Sequence, residues 1–172
     1  GLITAKKELF VVNVAESDLG TDKVDALTKE YAQKLNVSSD SIIVMCNKIE
    51  SELSALGDED RVLYLAELGL NESGLDRLIK SAYSVLGLQS FLTAGEIEIR
   101  AWTIRNGATA PQAAGVIHTD FEKKFIKAKV TSYEDFIAHN GWKGVKEAGR
   151  LRLEGRDYVM QEGDIVEFMV GA

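Results

Sequence analysis

The stretch that decides the fold spans residues 92–130 and reads LTAGEIEIRAWTIRNGATAPQAAGVIHTDFEKKFIKAKV. Over residues 97–104, the side chains at odd positions alternate with those at even positions as two distinct sets. This period of two predicts a strand with at least one packed face. Asn106-Gly107 follows. Because this dipeptide permits positive φ, we expect the strand to stop at residues 105–107.

A short helix and a second strand are predicted after this turn. Thr109 stands three places before Gln112, which is the spacing of a capping box. Pro111 falls in the first turn, where its missing N–H costs little. These signals predict a helix of about two turns that buries apolar side chains of residues 113–117. Residues 125–130, FIKAKV, then predict a second amphipathic strand.

Three runs of residues resemble a known family. They are RAWTI at residues 100–104, APQAAGVIHTDFE at residues 110–122 and FIKAKV at residues 125–130. Their order resembles the TGS domain, a β-grasp module, in the form found in the YchF/Obg-like ATPase family. The alternative is an unrelated α/β surface with a chance likeness, but long ordered runs mislead less often than isolated motifs. The resemblance implies an α+β TGS domain over residues 89–172.

Length and composition bound the class of protein. The 172 residues suffice for one domain or two small ones, and 45% hydrophobic with 27% charged residues is typical of a soluble globular protein. The longest apolar runs, such as residues 9–12 and 42–46, are too short to span a bilayer, and no leader pattern opens the chain. We therefore expect a cytoplasmic protein without a membrane partner. Cys46 is the only cysteine and forms no internal disulfide, which suits a reducing compartment.

The net charge of −7 is unevenly distributed. Residues 1–88 carry nine Lys and Arg against fifteen Asp and Glu, a net −6, whereas residues 89–172 carry eleven against twelve, a net −1. Neither half has the basic excess of an autonomous nucleic-acid-binding domain. Any contact with RNA must therefore come from a local patch.

Residues 1–88 have the pattern of a parallel α/β unit. Residues 8–14 form an apolar, β-branched run that predicts a strand buried on both faces, and residues 41–46 predict a second one. Between them, Thr21-Asp22 predicts the cap and the first-turn acid of a helix. The resulting βαβ unit should be right-handed, with its ligand edge beyond the carboxyl ends of the strands. The resemblance implies that this half is the C-terminal portion of an OBG-type nucleotide-binding domain, the α/β end of a P-loop NTPase domain.

The first candidate site follows the first strand, at Asn13-Val14-Ala15-Glu16. GTPases of the P-loop class carry Asn-Lys-x-Asp there, and the Asp accepts two hydrogen bonds from guanine. The YchF/Obg-like family has Asn-x-x-Glu and prefers ATP, with GTP as the weaker alternative. The resemblance implies that Asn13 bonds the base edge, that Val14 offers its backbone and that Glu16 holds the loop or favours adenine. The alternative is a set of ordinary polar residues at a strand end.

A competing pattern occurs at Asn47-Lys48-Ile49-Glu50, after the second strand. If it selected the base, another strand should follow about thirty residues later, but residues 73–86 predict a helix instead. We therefore assign Cys46-Asn47-Lys48 to the later base-contacting loop, where the resemblance implies binding through backbone N–H groups. Asn47 departs from the family's usual Ala. Cys46 fits a small packed residue better than a reactive thiol.

The rest of the chain predicts helices and short strands. Residues 50–70 predict two helices separated at Gly57-Asp58, and acids 58–60 fit a helix N-terminus better than a metal site, so we predict no metal ligands. Gly87 ends the helix that Ser73 caps, and the domain boundary is placed at residues 87–90. Beyond the opening stretch we expect a helix at 133–138, a helical turn at 145–148 and strands at 150–154, 158–160 and 165–170.

Basic residues of the second half are candidates for a contact with RNA or the ribosome. They are Lys123, Lys124, Lys127, Lys129, Arg150, Arg152 and Arg156. The alternative is a set of charges that guard solvated strand edges.

The sequence contains no G-x-x-x-x-G-K-[ST], the loop that holds nucleotide phosphates. We therefore expect no catalysis by this chain alone. The resemblance implies that the phosphate-binding loop and the Mg2+-binding residues precede Gly1. It also implies a ribosomal partner, rRNA or ribosomal protein, with two alternatives left open for the TGS half: another RNA or protein partner, or an intramolecular lid.

Overall fold

A computed structural model describes Leu2 and residues 6–95 and 98–171. The chain divides into two compact units, Gly1–Leu86 and Gly87–Ala172. This division lies at the start of the predicted boundary region, residues 87–90, and two residues before the predicted start of the second domain at residue 89. Within the described residues, no helix is long and apolar enough to cross a membrane.

The first unit contains a parallel strand pair joined through a helix. Strand β1 (Phe10–Asn13) leads through helix α1 (Thr21–Leu35) to strand β2 (Ile42–Met45). The two strands pair in parallel, with Phe10 opposite Ile42 and Asn13 opposite Met45. The predicted βαβ order is therefore confirmed.

Burial differs between the two strands. All four residues of β2 are buried, as predicted. In β1, Phe10 and Val12 pack with Val24 and Val44, whereas Val11 points to the opposite face and is 46% exposed. The prediction that this strand is covered on both faces is wrong here, because the helix packs against only one of them.

The predicted cap of α1 is also wrong. The helix begins at Thr21 itself, and Gly20 is the residue before it, with φ +122°. Gly20 therefore occupies the cap position in a conformation that glycine adopts without strain, whereas Asp22 lies in the first turn as predicted.

Three helices complete the first unit: α2 (Asn47–Ser54), α3 (Asp58–Glu67) and α4 (Gly74–Leu86). The predicted break at Gly57 is confirmed, and acids 58–60 lie in the first turn of α3. Ser73 caps α4 as predicted, since its hydroxyl accepts a hydrogen bond from Asp76 N–H at 3.0 Å.

The second unit is a five-stranded mixed sheet with a helix packed on it. In chain order its elements are β3 (Leu88–Ala94), β4 (Ile99–Arg105), α5 (Ala110–Ile117), α6 (Thr119–Lys124), β5 (Phe125–Thr131), α7 (Tyr133–Ala138), α8 (Trp142–Glu147), β6 (Arg152–Glu154) and β7 (Ile165–Val170). The strand order is β4-β3-β7-β5-β6. Strand β3 runs parallel to β7, and the other neighbours are antiparallel.

The opening stretch folds largely as predicted. Strand β4 stops at Arg105, before Gly107 with φ +82°. Gln112 Oε1 accepts a hydrogen bond from Thr109 N–H at 2.8 Å, which confirms the cap of α5. The helix buries its alanines completely against Phe91 and neighbouring core side chains.

Several elements differ from the sequence predictions. Strand β3 was not predicted, because Gln89 and Ser90 interrupt its apolar pattern, and it is stabilised by partners on both sides. Helix α6 was also missed, and the turn predicted at 145–148 is the longer helix α8. Residues 158–160 form only a single bridge, between Val159 and Thr109. Ile97, the predicted start of β4, lies outside the described residues.

Candidate functional site

The carboxyl ends of β1 and β2 meet at one edge of the first unit. Asn13 and Met45 are the last residues of their strands and lie opposite each other. Val14 N–H donates to Met45 O at 2.9 Å, so the parallel pairing continues one residue into the loop. The two loops that the sequence singled out are therefore adjacent.

A side-chain contact joins these loops directly. Asn13 Oδ1 accepts a hydrogen bond from Asn47 N–H at 3.0 Å, and both residues are exposed. Asn47 is the first residue of α2, so the accepted N–H is one of those that a helix leaves without an internal partner. Among the described residues, Asn13 Nδ2 donates to no group, which leaves an amide donor at the edge.

Glu16 enters an ion-pair network that sequence reasoning missed. Lys48 Nζ lies 3.0 Å from Glu16 Oε2 and 3.7 Å from Glu52 Oε1. The hydroxyl of Tyr64 donates to Glu52 Oε2 at 2.7 Å. The hydrogen bond and charge of Glu16, followed by the charge of Glu52, raise the pKa of the Lys48 ammonium. Only the Lys-Glu spacing of four residues within α2 was a local signal for this network.

Glu50, the acid of the competing Asn47–Glu50 pattern, has a different role. Its Oε1 accepts a hydrogen bond from Gly74 N–H at 2.8 Å, and its Oε2 accepts one from Leu75 N–H at 3.2 Å. Both carboxylate oxygens thus cap the N-terminus of α4, where negative charge is favourable. In the pattern that most resembles a base-selecting motif, the acid therefore stabilises the fold.

Cys46 is buried beside these loops. It is 5% exposed and packs with Ile49, Leu53 and Leu65. This is the small packed residue that the sequence predicted. Among the described residues, no group of His, Cys, Asp and Glu side chains is arranged to hold a metal ion.

The basic residues of the second unit do not form one free patch. Lys129 Nζ pairs with Glu167 at 2.9 Å, and Arg150 Nε lies 3.9 Å from Asp135 Oδ1. Arg156 donates to Phe125 O at 2.8 Å. These three cations are therefore engaged within the unit.

Arg152 is held by a buried carboxylate. Its guanidinium lies 3.3 Å from Asp164 Oδ1, and Asp164 is only 3% exposed. Asp164 Oδ2 also accepts hydrogen bonds from the Tyr158 hydroxyl at 2.8 Å and from Gln161 N–H at 2.9 Å. Burial and the hydrogen bond to Asp164 raise the pKa of Tyr158 to about 12.

Three lysines remain without such a partner. Lys123 and Lys124 are exposed in the last turn of α6, and Lys127 is half-buried in β5. No ion pair within the described residues engages any of the three. The free positive charge of the predicted group is therefore concentrated over residues 123–127.

Comparison with known proteins shows extensive similarity. The family model YchF-GTPase_C, described as "Protein of unknown function (DUF933)", matches residues 88–171. A Bacillus subtilis protein named "Ribosome-binding ATPase YchF" is 49% identical over 171 residues, which are 97% of this chain and 46% of that protein. "Obg-like ATPase 1" of Pongo abelii is 42% identical over 168 residues, 96% of this chain and 42% of that protein.

A solved structure shares the fold as well. The YchF GTPase of Schizosaccharomyces pombe superposes with a TM-score of 0.74 at 34% identity, covering 96% of this chain and 44% of that one. The chain thus spans less than half the length of the curated relatives it matches.

Proposed function

The chain belongs to the YchF/Obg-like family and corresponds to the C-terminal part of its members, and from this we propose that it supplies the adenine-recognition loop of an ATP-binding, ATP-hydrolysing protein. ATP is the proposed nucleotide and GTP the weaker alternative. Residues 1–172 contain no G-x-x-x-x-G-K-[ST]. In this proposal the contacts to the phosphates and to Mg2+ are therefore made by residues outside this sequence.

The hydrogen bond between Asn13 and Asn47 carries the proposal. It joins the two loops at 3.0 Å and leaves the Asn13 amide nitrogen as a donor. An Asn side chain suits adenine, whose N7 accepts and whose 6-amino group donates a hydrogen bond. The edge also lies beyond the carboxyl ends of parallel strands, where ligands of open α/β sheets bind.

Replacing Asn13 by alanine should weaken ATP binding about tenfold, because it removes one base contact and the link between the loops. The measurement is an equilibrium titration of the full-length protein, at the length of the curated relatives, with non-hydrolysable ATP and GTP analogues. Asn71→Ala is the matched control, since Asn71 is exposed and no hydrogen bond within the described residues joins it to residues 13–16 or 46–48. Equal affinities of the wild type for ATP and GTP, or an unchanged ATP affinity in Asn13→Ala, would contradict the proposal.

A second candidate function concerns residues 87–172, which we propose act as a TGS-type β-grasp module that docks on ribosomal RNA. The five-stranded mixed sheet packed on α5 supports the fold assignment. Lys123 and Lys124 support the RNA contact, because they are exposed and unpaired while most other cations of the group are engaged. Several relatives are named ribosome-binding.

Charge reversal of Lys123 and Lys124 to glutamate should weaken co-sedimentation of the full-length protein with ribosomes and flatten its salt dependence, since each lost phosphate contact lowers the salt slope by about one. Lys143→Glu with Lys146→Glu is the matched control, because both are exposed lysines of the same unit and the charge change is equal. If both double variants sediment alike at every salt concentration, RNA docking through residues 123–124 is wrong and the intramolecular lid is favoured.

A further inference from the structure

Lys48 connects the loop after β1 to the helices that follow β2. Its ammonium group is shared by Glu16, at 3.0 Å, and Glu52, at 3.7 Å. Glu52 is itself fixed through the Tyr64 hydroxyl on α3. The position of the ammonium group is therefore set by α2 and α3, and Glu16 is held against it.

This ion pair contributes little to the stability of the unit. The Lys48 and Glu16 side chains are 68% and 46% exposed. Pairs in such surroundings are screened by water and salt, and they cost side-chain entropy to form. Removal of the Lys48 charge should therefore leave the fold intact and act locally, on the availability of the Glu16 carboxylate.

The chemistry of the two purines makes that availability important. Guanine presents two adjacent donors, N1–H and the 2-amino group, which a carboxylate can accept with both oxygens. Adenine presents an acceptor at N1 and no amino group at C2, so a free carboxylate gives it no such bond and repels its N1 lone pair. With Lys48 on Oε2, a bond from both Glu16 oxygens to guanine's N1–H and 2-amino group competes with the ammonium group for that oxygen.

We propose that Lys48 is a specificity-determining residue that favours adenine by occupying and neutralising Glu16. The inference rests on the proposed function of residues 13–16, because Glu16 must lie beside the bound base. Lys48 acts through Glu16 and is in this sense a positioning residue. In this proposal the Lys48–Glu16 pair lies at the base pocket and disfavours guanine.

The test is Lys48→Met in the full-length protein, with dissociation constants measured for non-hydrolysable analogues of ATP, GTP and inosine triphosphate. Displacing an exposed ion pair of this kind changes an equilibrium by no more than about fivefold, which limits the gain from removing Lys48. We expect GTP to bind about three- to fivefold tighter and ATP to change less than about twofold. Inosine, which has N1–H but no 2-amino group, should gain an intermediate amount.

Two further variants isolate the charge. Lys48→Arg retains a cation beside Glu16 and should have the same ratio of ATP to GTP affinity as the wild type. Lys34→Met removes another exposed Lys-Glu pair, Lys34–Glu30 at 2.5 Å, and should leave the ratio unchanged.

The outcomes separate the two hypotheses. A wild type that does not prefer ATP overturns the proposed function itself. A wild type that prefers ATP, together with Lys48→Met that retains the same ratio, overturns only the role of Lys48. An equal shift in Lys34→Met, or in Lys48→Arg, also overturns it, since the effect would then not depend on a cation at Glu16.

Discussion

Replacement of Asp164 by alanine is expected to lower the free energy of unfolding of residues 87–172 by about 3 kcal/mol, because it leaves buried polar groups without their acceptor. Asp164 is 3% exposed and accepts hydrogen bonds from Tyr158, Gln161 and Arg152. Removing one partner of a buried ion pair costs about 3–5 kcal/mol. The lower value applies here because Arg152 is half-exposed and can be rehydrated. Both tryptophans, Trp102 and Trp142, lie in this unit, so equilibrium urea unfolding followed by tryptophan fluorescence measures its stability.

Asp157→Ala is the control for this prediction. Asp157 is exposed, and no ion pair within the described residues engages it, so the change should stay within about 0.5 kcal/mol. The stability that this network contributes should also depend on pH. The pKa of Tyr158 is about 12 in the folded protein, above the ordinary value near 10. The contribution of Tyr158 to the free energy of unfolding is therefore fully present below about pH 10 and is lost as the pH rises through about 12. If Asp164→Ala unfolds at the same urea concentration as Asp157→Ala, the network does not stabilise the unit.

Replacement of Gly74 by alanine should destabilise residues 1–86 by about 2–3 kcal/mol, because the new methyl group overpacks the contact between α4 and β2. A Cβ at Gly74 would clash with Met45 Cβ and lie 2.9 Å from Glu50 Oε1. To relieve this clash, α4 must move away and weaken the hydrogen bond from Gly74 N–H to Glu50. Faster amide hydrogen exchange at Val44 and Met45 is the expected result.

Gly57→Ala is the matched control in the same unit. Gly57 precedes α3, and a Cβ there meets no atom within 4 Å. The substitution should cost about 1 kcal/mol or less, through the cap alone. Equal exchange rates at β2 in the two variants would contradict the tight approach of α4 to Met45. Because Met45 precedes Cys46 and Asn47, Gly74→Ala should also disturb the candidate base-binding edge.

Local signals allowed much of the second unit to be predicted from the sequence. The cap of α5 links residues three places apart, and the turn at Gly107 needs only a residue that accepts positive φ. Helix α7 and strand β7 were predicted with the bounds they have, Tyr133–Ala138 and Ile165–Val170. Polar interruptions hid β3, since a central strand depends on the strands that pair with it on either side.

The candidate site shows the same division. The sequence by itself determined the family, the parallel βαβ order and the proximity of Asn13 to Asn47, because the carboxyl ends of parallel neighbours must meet. Only the tertiary structure decided which charges are free. Lys48 contacts Glu16, which is 32 residues away in the sequence, and Gly74 N–H donates to Glu50, which is 24 residues away. Asp164 binds Arg152, which is therefore not a free cation of the basic group. Such pairs depend on distances that the whole fold sets, so no local pattern of residue types specifies them.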